Sequence, residues 1–354
     1  MNEGVSVIIC CHNSAQRLPE TLKHLAAQQV PAGLPWEIVV VDNASTDDTA
    51  ETAAGCWPVA AGGGLRVVSE PEAGLSHARL KGIKEARYGI VSFLDDDNWA
   101  SPDWIKRVNA LFASRPEIAA CGGRIEAVCE TAPPDWFESL KIHYAVGRQY
   151  GQSGDITSTS GTLLWGAGLN LRAAAVRKLF EDGFTILMSD RKGNFLSSGG
   201  DTELCFALRA AGWQFWYDDD LLLRHFIPKA RLQWDYARRL MRGMGRASAF
   251  FAIYLSALNG PPFDTYPAWK KTWLFQILKS FRQVISVILF HPGICWQQPE
   301  GSLPALEFET SKNQLSALWE LRGRYQKMQN DIRHSAWAQG RQASPGTAPN
   351  ASNA

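Results

Sequence analysis

The sequence predicts an α/β fold: a mostly parallel sheet flanked by helices, with a helical C-terminal extension. Three observations carry this prediction. Over the first 130 residues, short apolar runs alternate with helical periodicity. The runs are β-branched and apolar at successive positions, as in strands covered by helices on both faces. After about residue 230 the pattern turns helical, basic and aromatic.

The elements follow in order. Residues 5–11, 37–41, 65–69 and 90–94 are the strand-like runs. Helical patterns follow them at 18–29, 47–54, 76–88 and 102–114. The last of these has a start signal, Ser101 as N-cap and Pro102 at the first helical position. Strands and helices alternating in this way build a parallel sheet, and ligands then bind at the carboxyl ends of its strands. From 130 to 160 the periodicity fades. Pro133, Pro134, Gly151, Gly154 and the Ser/Thr run 157–160 read as a long connection of the kind that serves as a lid. Regular structure resumes at 163–172. A helix at 202–211 is stopped by Gly212, and a strand at 214–217 follows. Residues 273–290 are apolar-rich, yet Gln276, Lys279, Ser280, Arg282, Gln283 and Ser286 make them a poor transmembrane span. As a helix this segment either packs on the body or lies on an anionic membrane surface. From Ala338 the composition is that of a disordered tail.

Length and composition set the outer bounds. The chain has 354 residues, 45% hydrophobic and 20% charged. That excludes a wholly disordered chain, a collagen-like repeat and a small disulfide scaffold. At about 150 residues per domain, the length allows roughly two domains. The net charge of +1 hides a polarity. Residues 221–298 hold eleven Lys/Arg against two acids, so the remainder is acidic by eight. A near-neutral total points away from a dedicated nucleic-acid partner. The seven cysteines are odd in number and lack C-x-x-C spacing, which fits a reducing cytoplasm. The N-terminus has no basic stretch, and its apolar run is too short for a secretory signal.

Three strand ends carry the candidate chemistry. They are Cys11-His12-Asn13, the 42–48 run beginning Asp42-Asn43, and Asp95-Asp96-Asp97-Asn98. Single acids after strands usually cap helices. That suits residues 45–48 better than 95–97, because Ser101 already supplies the next cap. Three adjacent carboxylates repel one another and are most easily tolerated around a cation such as Mg²⁺ or Mn²⁺. A second run, Asp218-Asp219-Asp220, is followed directly by three leucines and reads as an exposed turn between strands. Trp213 and Trp216 read as core. Trp136 and Trp165, near the expected lid, are candidates for stacking on a ligand.

At these residues the sequence resembles family 2 glycosyltransferases of the GT-A fold. The resemblance rests on 5–13, on 37–49, on Phe93-Leu94 with the acidic run, and on Gly199-Gly200-Asp201-Thr202-Glu203-Leu204 followed by 209–213. It covers about residues 5–230. The stretch 70–79 and the Pro-Asp-Trp after the acidic run resemble members that build bacterial exopolysaccharides.

The resemblance implies roles. Asp42 meets the base of a nucleotide-sugar donor, a UDP-sugar in the first instance, with the backbone near His12 and Asn13 lining the same pocket. Asp95 faces ribose and metal, Asp97 and His225 bind a divalent cation, and Arg79 reaches the donor. Asp201 is the general base of an inverting transfer to a glycan or lipid-linked acceptor in cell-surface polysaccharide synthesis. The chain departs from the pattern at Leu80, Gly200 and Asn98. Two other readings stand beside this one, a sugar-phosphate nucleotidyltransferase and a catalytically silent glycan- or membrane-binding partner. The implied organisation is a catalytic domain over 1–230, a basic, Trp-bearing segment over 231–335 and a disordered tail over 336–354. A peripheral contact of 229–290 with the inner face of the cell membrane is expected.

Overall fold

A computed structural model describes residues 2–58, 62–159, 164–188, 199–258 and 267–339. The first unit is β1 (Asn2–Cys11), α1 (Leu18–Ala26), β2 (Trp36–Asn43), α2 (Thr49–Cys56), β3 (Gly64–Glu70), α3 (Leu75–Glu85) and β4 (Tyr88–Asp95). Then come β5 (Asn98–Ala100), α4 (Trp104–Ser114), β6 (Ile118–Cys129), α5 (Phe137–Leu140), β7 (Gly154–Asp155), β8 (Asn170–Arg172), α6 (Ala173–Glu181), α7 (Gly200–Ala210) and β9 (Gln214–Ile227). The C-terminal helices are α8 (Trp234–Ala257), α9 (Trp273–Phe290), α10 (Leu303–Glu320), α11 (Tyr325–Arg333) and α12 (Ala336–Gln339).

Among the described residues the strands form a nine-stranded sheet in the order β3-β2-β1-β4-β8-β6-β9-β5, with β7 also pairing with β9. The first four are parallel. The remainder is mixed, because β8 runs antiparallel to both β4 and β6. Alternation explains the unbroken apolar runs. Val5, Val7 and Ile9 pack with α1 and α4 on one face, while Ile8, Val39 and Val41 pack with α3, α6 and α7 on the other. Strand order reverses at β1, which has β2 on one side and β4 on the other. Such a switch opens a crevice at the carboxyl ends.

Several expectations change. Helix α4 starts at Trp104, and the Ser101 hydroxyl donates to the Asp103 carboxylate (2.9 Å) rather than capping the helix. Asp218–Asp220 are not a turn. They lie within β9 at a bulge, where pairing with β6 jumps from Gly123–Asp218 to Arg124–Leu222, and Arg107 and Arg148 hold their carboxylates. The 130–160 connection contains α5, a 3₁₀ turn at Lys141–Tyr144 and β7. The segment expected to be a disordered tail begins with α12. Its Trp337 is buried and packs edge-on against Phe184 (5.4 Å). Residues 340–354 lie outside the described residues.

The C-terminal helices do not stand apart from the sheet. Ala249, Ile253, Leu318, Tyr325, Ile332 and Trp337 share one continuous core with β1, β2 and β4. Helix α8 crosses α10 closely, since a Cβ at Gly245 would stand 2.2 Å from the Thr310 carbonyl oxygen. Helix α9 packs against α10 through Ile277, Ser280 and Val287 and leaves its large apolar residues outward.

Candidate active site

Register sets the site. Cys11 pairs with Asp42 across β1–β2, and Cys10 pairs with Asp95 across β1–β4, so three strand ends finish level. The His12 Nδ1–H donates to the Asn43 carbonyl (2.8 Å). Asn13 adopts a left-handed conformation (φ 51°), and its side-chain oxygen accepts from the Thr46 N–H (2.8 Å). Asn tolerates that backbone region better than most residues. Asn43 donates to the Glu70 and Glu72 carbonyls and accepts from the Gly74 N–H (2.8 Å), which fixes the loop into α3. The Asp42 Oδ1 is buried without a hydrogen-bond partner among the described residues. An orphaned buried acceptor is an invitation to a donor N–H.

The acidic run is divided among three surroundings. At Asp95 the backbone N–H donates to the Asn98 side-chain oxygen (3.0 Å), which folds the run back on itself. Asp96 pairs with Arg17 (2.6 Å). Burial and the neighbouring Asp97 nevertheless push the Asp96 carboxyl above the usual range. Asp97 is 2% exposed and pairs with Arg231 (3.0 Å), with His225 Nε2 3.5 Å from its other oxygen. Burial opposes ionisation of Asp97, but His225 and Arg231 outweigh it and hold the carboxyl well below the ordinary range. The β5–β9 ladder brings these groups together by setting Asn98 opposite His225. The His225 Nδ1 lies 3.0 Å from the Tyr144 carbonyl. A carbonyl only accepts, so Nδ1 carries a proton, and Nε2 lies between Asp97 and the Arg231 guanidinium (3.3 Å).

Asp201 begins α7, and its Oδ1 accepts from the Thr202 N–H (2.8 Å). Glu203, fully buried, anchors that helix by accepting from the Leu187 and Met188 N–H groups and the Tyr254 hydroxyl. Gly166 shows how tightly the site is drawn. A Cβ there would meet Arg79 Nη2 at 2.4 Å and Asp201 Oδ2 at 2.5 Å. Arg79 and Asp201 therefore converge on one spot. Burial pushes the neighbouring Cys10 thiol up to about 12, which keeps it from acting as a thiolate.

His12, Arg79, Asp95, Asp97, Asp201 and His225 all line one cavity of about 700 Å³. Asn13 and Asp42 flank it at the same strand ends. Among its described lining residues are four aspartates, Asp95, Asp96, Asp97 and Asp201, and three arginines, Arg17, Arg79 and Arg231. Trp165 lines it too, whereas Trp136 packs against Trp234 and donates to Glu300. Sequence reasoning missed Arg17 and Arg231, and placed Asn43 at a strand end without giving it a role. It also missed the apolar wall of Leu240, Met241, Met244 and Phe251 on α8. The arginines gave no local signal.

Comparison with known proteins fits this geometry. Residues 6–164 match the family model for glycosyl transferase family 2. The succinoglycan biosynthesis protein ExoM of Rhizobium meliloti is 26% identical over 68% of this chain and 72% of its own length. The glucosyl-dolichyl phosphate glucuronosyltransferase of Haloferax volcanii is 25% identical over 37% of this chain and 39% of its own. Among solved structures, the mannosyltransferase PcManGT of Pyrobaculum calidifontis, in complex with GDP-Man and Mn²⁺, superposes with a TM-score of 0.54. It is 17% identical and covers 94% of this chain and 87% of its own. The fold is thus that of the GT-A glycosyltransferases, with a helical C-terminal region. Residues 6–164 thus carry a match to the family 2 glycosyltransferase domain, and the chain resembles members that make exopolysaccharides.

Proposed function

We propose that this enzyme transfers a sugar, with inversion, from a nucleoside-diphosphate donor to a glycan or lipid-linked acceptor of a cell-surface polysaccharide. It would act at the cytoplasmic face of the cell membrane. The observation that carries this reading is the meeting of Asp95, Asp97 and His225 with Arg79 and Asp201 in one cavity.

The donor base docks at the strand ends, where Asp42 Oδ1 offers an unused acceptor to a ring N–H. His12 and Asn13 flank it, and Arg79 reaches the diphosphate. The residues of the acidic run suit a hard divalent cation of the Mg²⁺ or Mn²⁺ type. Asp95 and Asp97 offer carboxylates, and His225, its Nε2 3.5 Å from Asp97, would offer an imidazole nitrogen. Among the described residues no three such side chains already converge on a point, because Arg231 holds Asp97. When bound, the cation neutralises charge on the leaving diphosphate. Such neutralisation suits a site where the acidic run would otherwise stand against the diphosphate's own charge.

Asp201 takes the proton of the attacking acceptor hydroxyl. Its fixed place at the start of α7 keeps the carboxylate aimed into the cavity, and Glu203 keeps the helix in place. General-base catalysis contributes about 10²–10⁴-fold. Asp201→Asn is therefore expected to lower kcat by about that factor while nucleotide binding persists. Asp97→Ala is expected to remove divalent-ion dependence together with turnover. The assay is nucleotide release across a panel of sugar donors, UDP-sugars first. Full activity in both folded variants would sink the mechanism.

A further inference from the structure

A second cavity, of about 240 Å³, adjoins the first. The two share Ser248 and Phe251 on α8. Phe251 reaches the start of α7, with its Cζ 3.1 Å from where a Cβ would stand at Gly199, two residues before Asp201. The seam between the cavities is therefore next to the carboxylate assigned to the acceptor hydroxyl. Lys270, Lys271 and Lys279 line the second cavity, and no acid is among its described lining residues. None of the three lysines forms an ion pair among the described residues, although Lys270 lies over the Trp269 ring (5.2 Å). Three ammonium groups without a counter-charge make an anion site, and ammonium is well suited to phosphate as a point charge.

Beyond the lysines lies α9. Leu274, Leu278, Phe281, Ile285 and Leu289 recur at helical spacing on its outer face and are between 39% and 73% exposed. With Trp273, Ile277 and Leu315, and with Trp319 of α10, three of them line an apolar groove of about 630 Å³. A soluble surface rarely leaves such a stripe bare. α9 is long and apolar enough to cross a membrane, with mean hydropathy 1.3 over 18 residues. It nevertheless lies against α10 along its buried face, so it presents a side and not an end to a bilayer. Lys279 belongs to the lysine cavity, while its neighbours Leu278 and Phe281 belong to the apolar groove.

We propose that the lysine cavity is the phosphate subsite for an acceptor carried on a long-chain lipid phosphate. Resting on the glycosyltransferase reading above, it assigns three subsites in one order. The sugar end lies by Asp201 and Phe251, the phosphate by Lys270, Lys271 and Lys279, and the hydrocarbon along the outer face of α9 in the bilayer. A free glycan needs neither of the last two. Bulk anionic lipid needs no cavity leading to Asp201.

The test is sedimentation with phosphatidylcholine vesicles. One set is plain, one contains a small fraction of long-chain isoprenyl phosphate, and one carries the same charge as phosphatidylglycerol. The full chain is expected to bind the isoprenyl phosphate set about tenfold more tightly than the charge-matched set. Lys270→Gln/Lys271→Gln/Lys279→Gln is expected to erase that preference. Leu278→Ser/Phe281→Ser, on an exposed face, is expected to erase binding to all vesicles. Equal binding to both charged sets, or to none, overturns the proposal. Titration of each protein with nucleoside diphosphate and Mn²⁺ separates the two readings. Retained nucleotide binding without lipid-phosphate preference overturns this site alone. Absence of nucleotide binding in the unaltered chain overturns the glycosyltransferase mechanism and the acceptor site with it.

Discussion

Gly166 has no side chain, yet it decides how closely two functional groups approach. The atoms that a Cβ would strike are the ends of Arg79 and Asp201, not backbone. Side-chain ends can swing away, so Gly166→Ala should displace both groups without unfolding the protein. We expect kcat to fall at least about tenfold while the thermal midpoint moves by no more than about 2 °C. Turnover assays beside a melting curve check this, and unchanged turnover would remove Arg79 and Asp201 from the chemistry. Arg231 makes a complementary case. Its guanidinium lies on Asp97 at 3.0 Å and so competes with any cation for that carboxylate. Arg231→Ala should tighten Mn²⁺ binding measured calorimetrically without nucleotide, by about tenfold, equivalent to about 1.4 kcal/mol. Weaker Mn²⁺ binding would show instead that Arg231 helps to build the site.

Helices α8 and α10 together make the cavity wall, and a buried charge cluster joins them. Glu309 is 1% exposed and accepts from Arg238 (2.9 Å) and Arg242 (2.7 and 2.9 Å). Burial alone would raise its carboxyl. The bonds from Arg242 and Arg238 outweigh burial and hold it below the ordinary Glu range. A depressed folded-state value means stability that is fully present above the ordinary Glu value and lost as pH falls through the lower folded value. The loss should therefore develop below about pH 4.3. Glu309→Gln should abolish that part of the acid sensitivity in denaturant titrations run at several pH values. At neutral pH it should cost about 2 kcal/mol, less than the ~3–5 kcal/mol of a fully buried pair because Arg242 is partly solvated. Identical acid profiles would show that the cluster does not clamp the helices. The same crossing depends on Gly245, because a Cβ there would press on the Thr310 carbonyl, which belongs to backbone and cannot swing aside.

At the scale of the molecule, the legible and illegible parts divide by the range of the interactions. The parallel strands and their acidic ends were readable because a buried strand announces itself by local composition, and chemistry gathers at strand ends. Strand β6 was not, since Ala119, Ala120, Gly122 and Gly123 weaken its β signal. The bulge in β9 was hidden because it depends on β6. Arg17 and Arg231 meet their aspartates across 79 and 134 positions of chain, a distance over which local pattern is silent. The apolar spacing of α8 said that a face is covered, without saying that part of it faces a cavity. The same long-range contacts bear on the proposed division of the chain near residue 230. Residues of α8, α10, α11 and α12 complete the core begun by β1, β2 and β4. A fragment ending at residue 232 would strip Phe206 of Phe251 and Tyr254, and Phe184 of Trp337. Such exposure favours collapse and aggregation over a native fold. The whole chain should unfold in one cooperative transition seen alike by tryptophan fluorescence and circular dichroism. The 1–232 fragment should be insoluble, or bind a hydrophobic dye while lacking a cooperative transition. A soluble fragment that melts cooperatively and binds nucleoside diphosphate would establish an autonomous catalytic domain, with the C-terminal helices as an appendage that adds only the acceptor side.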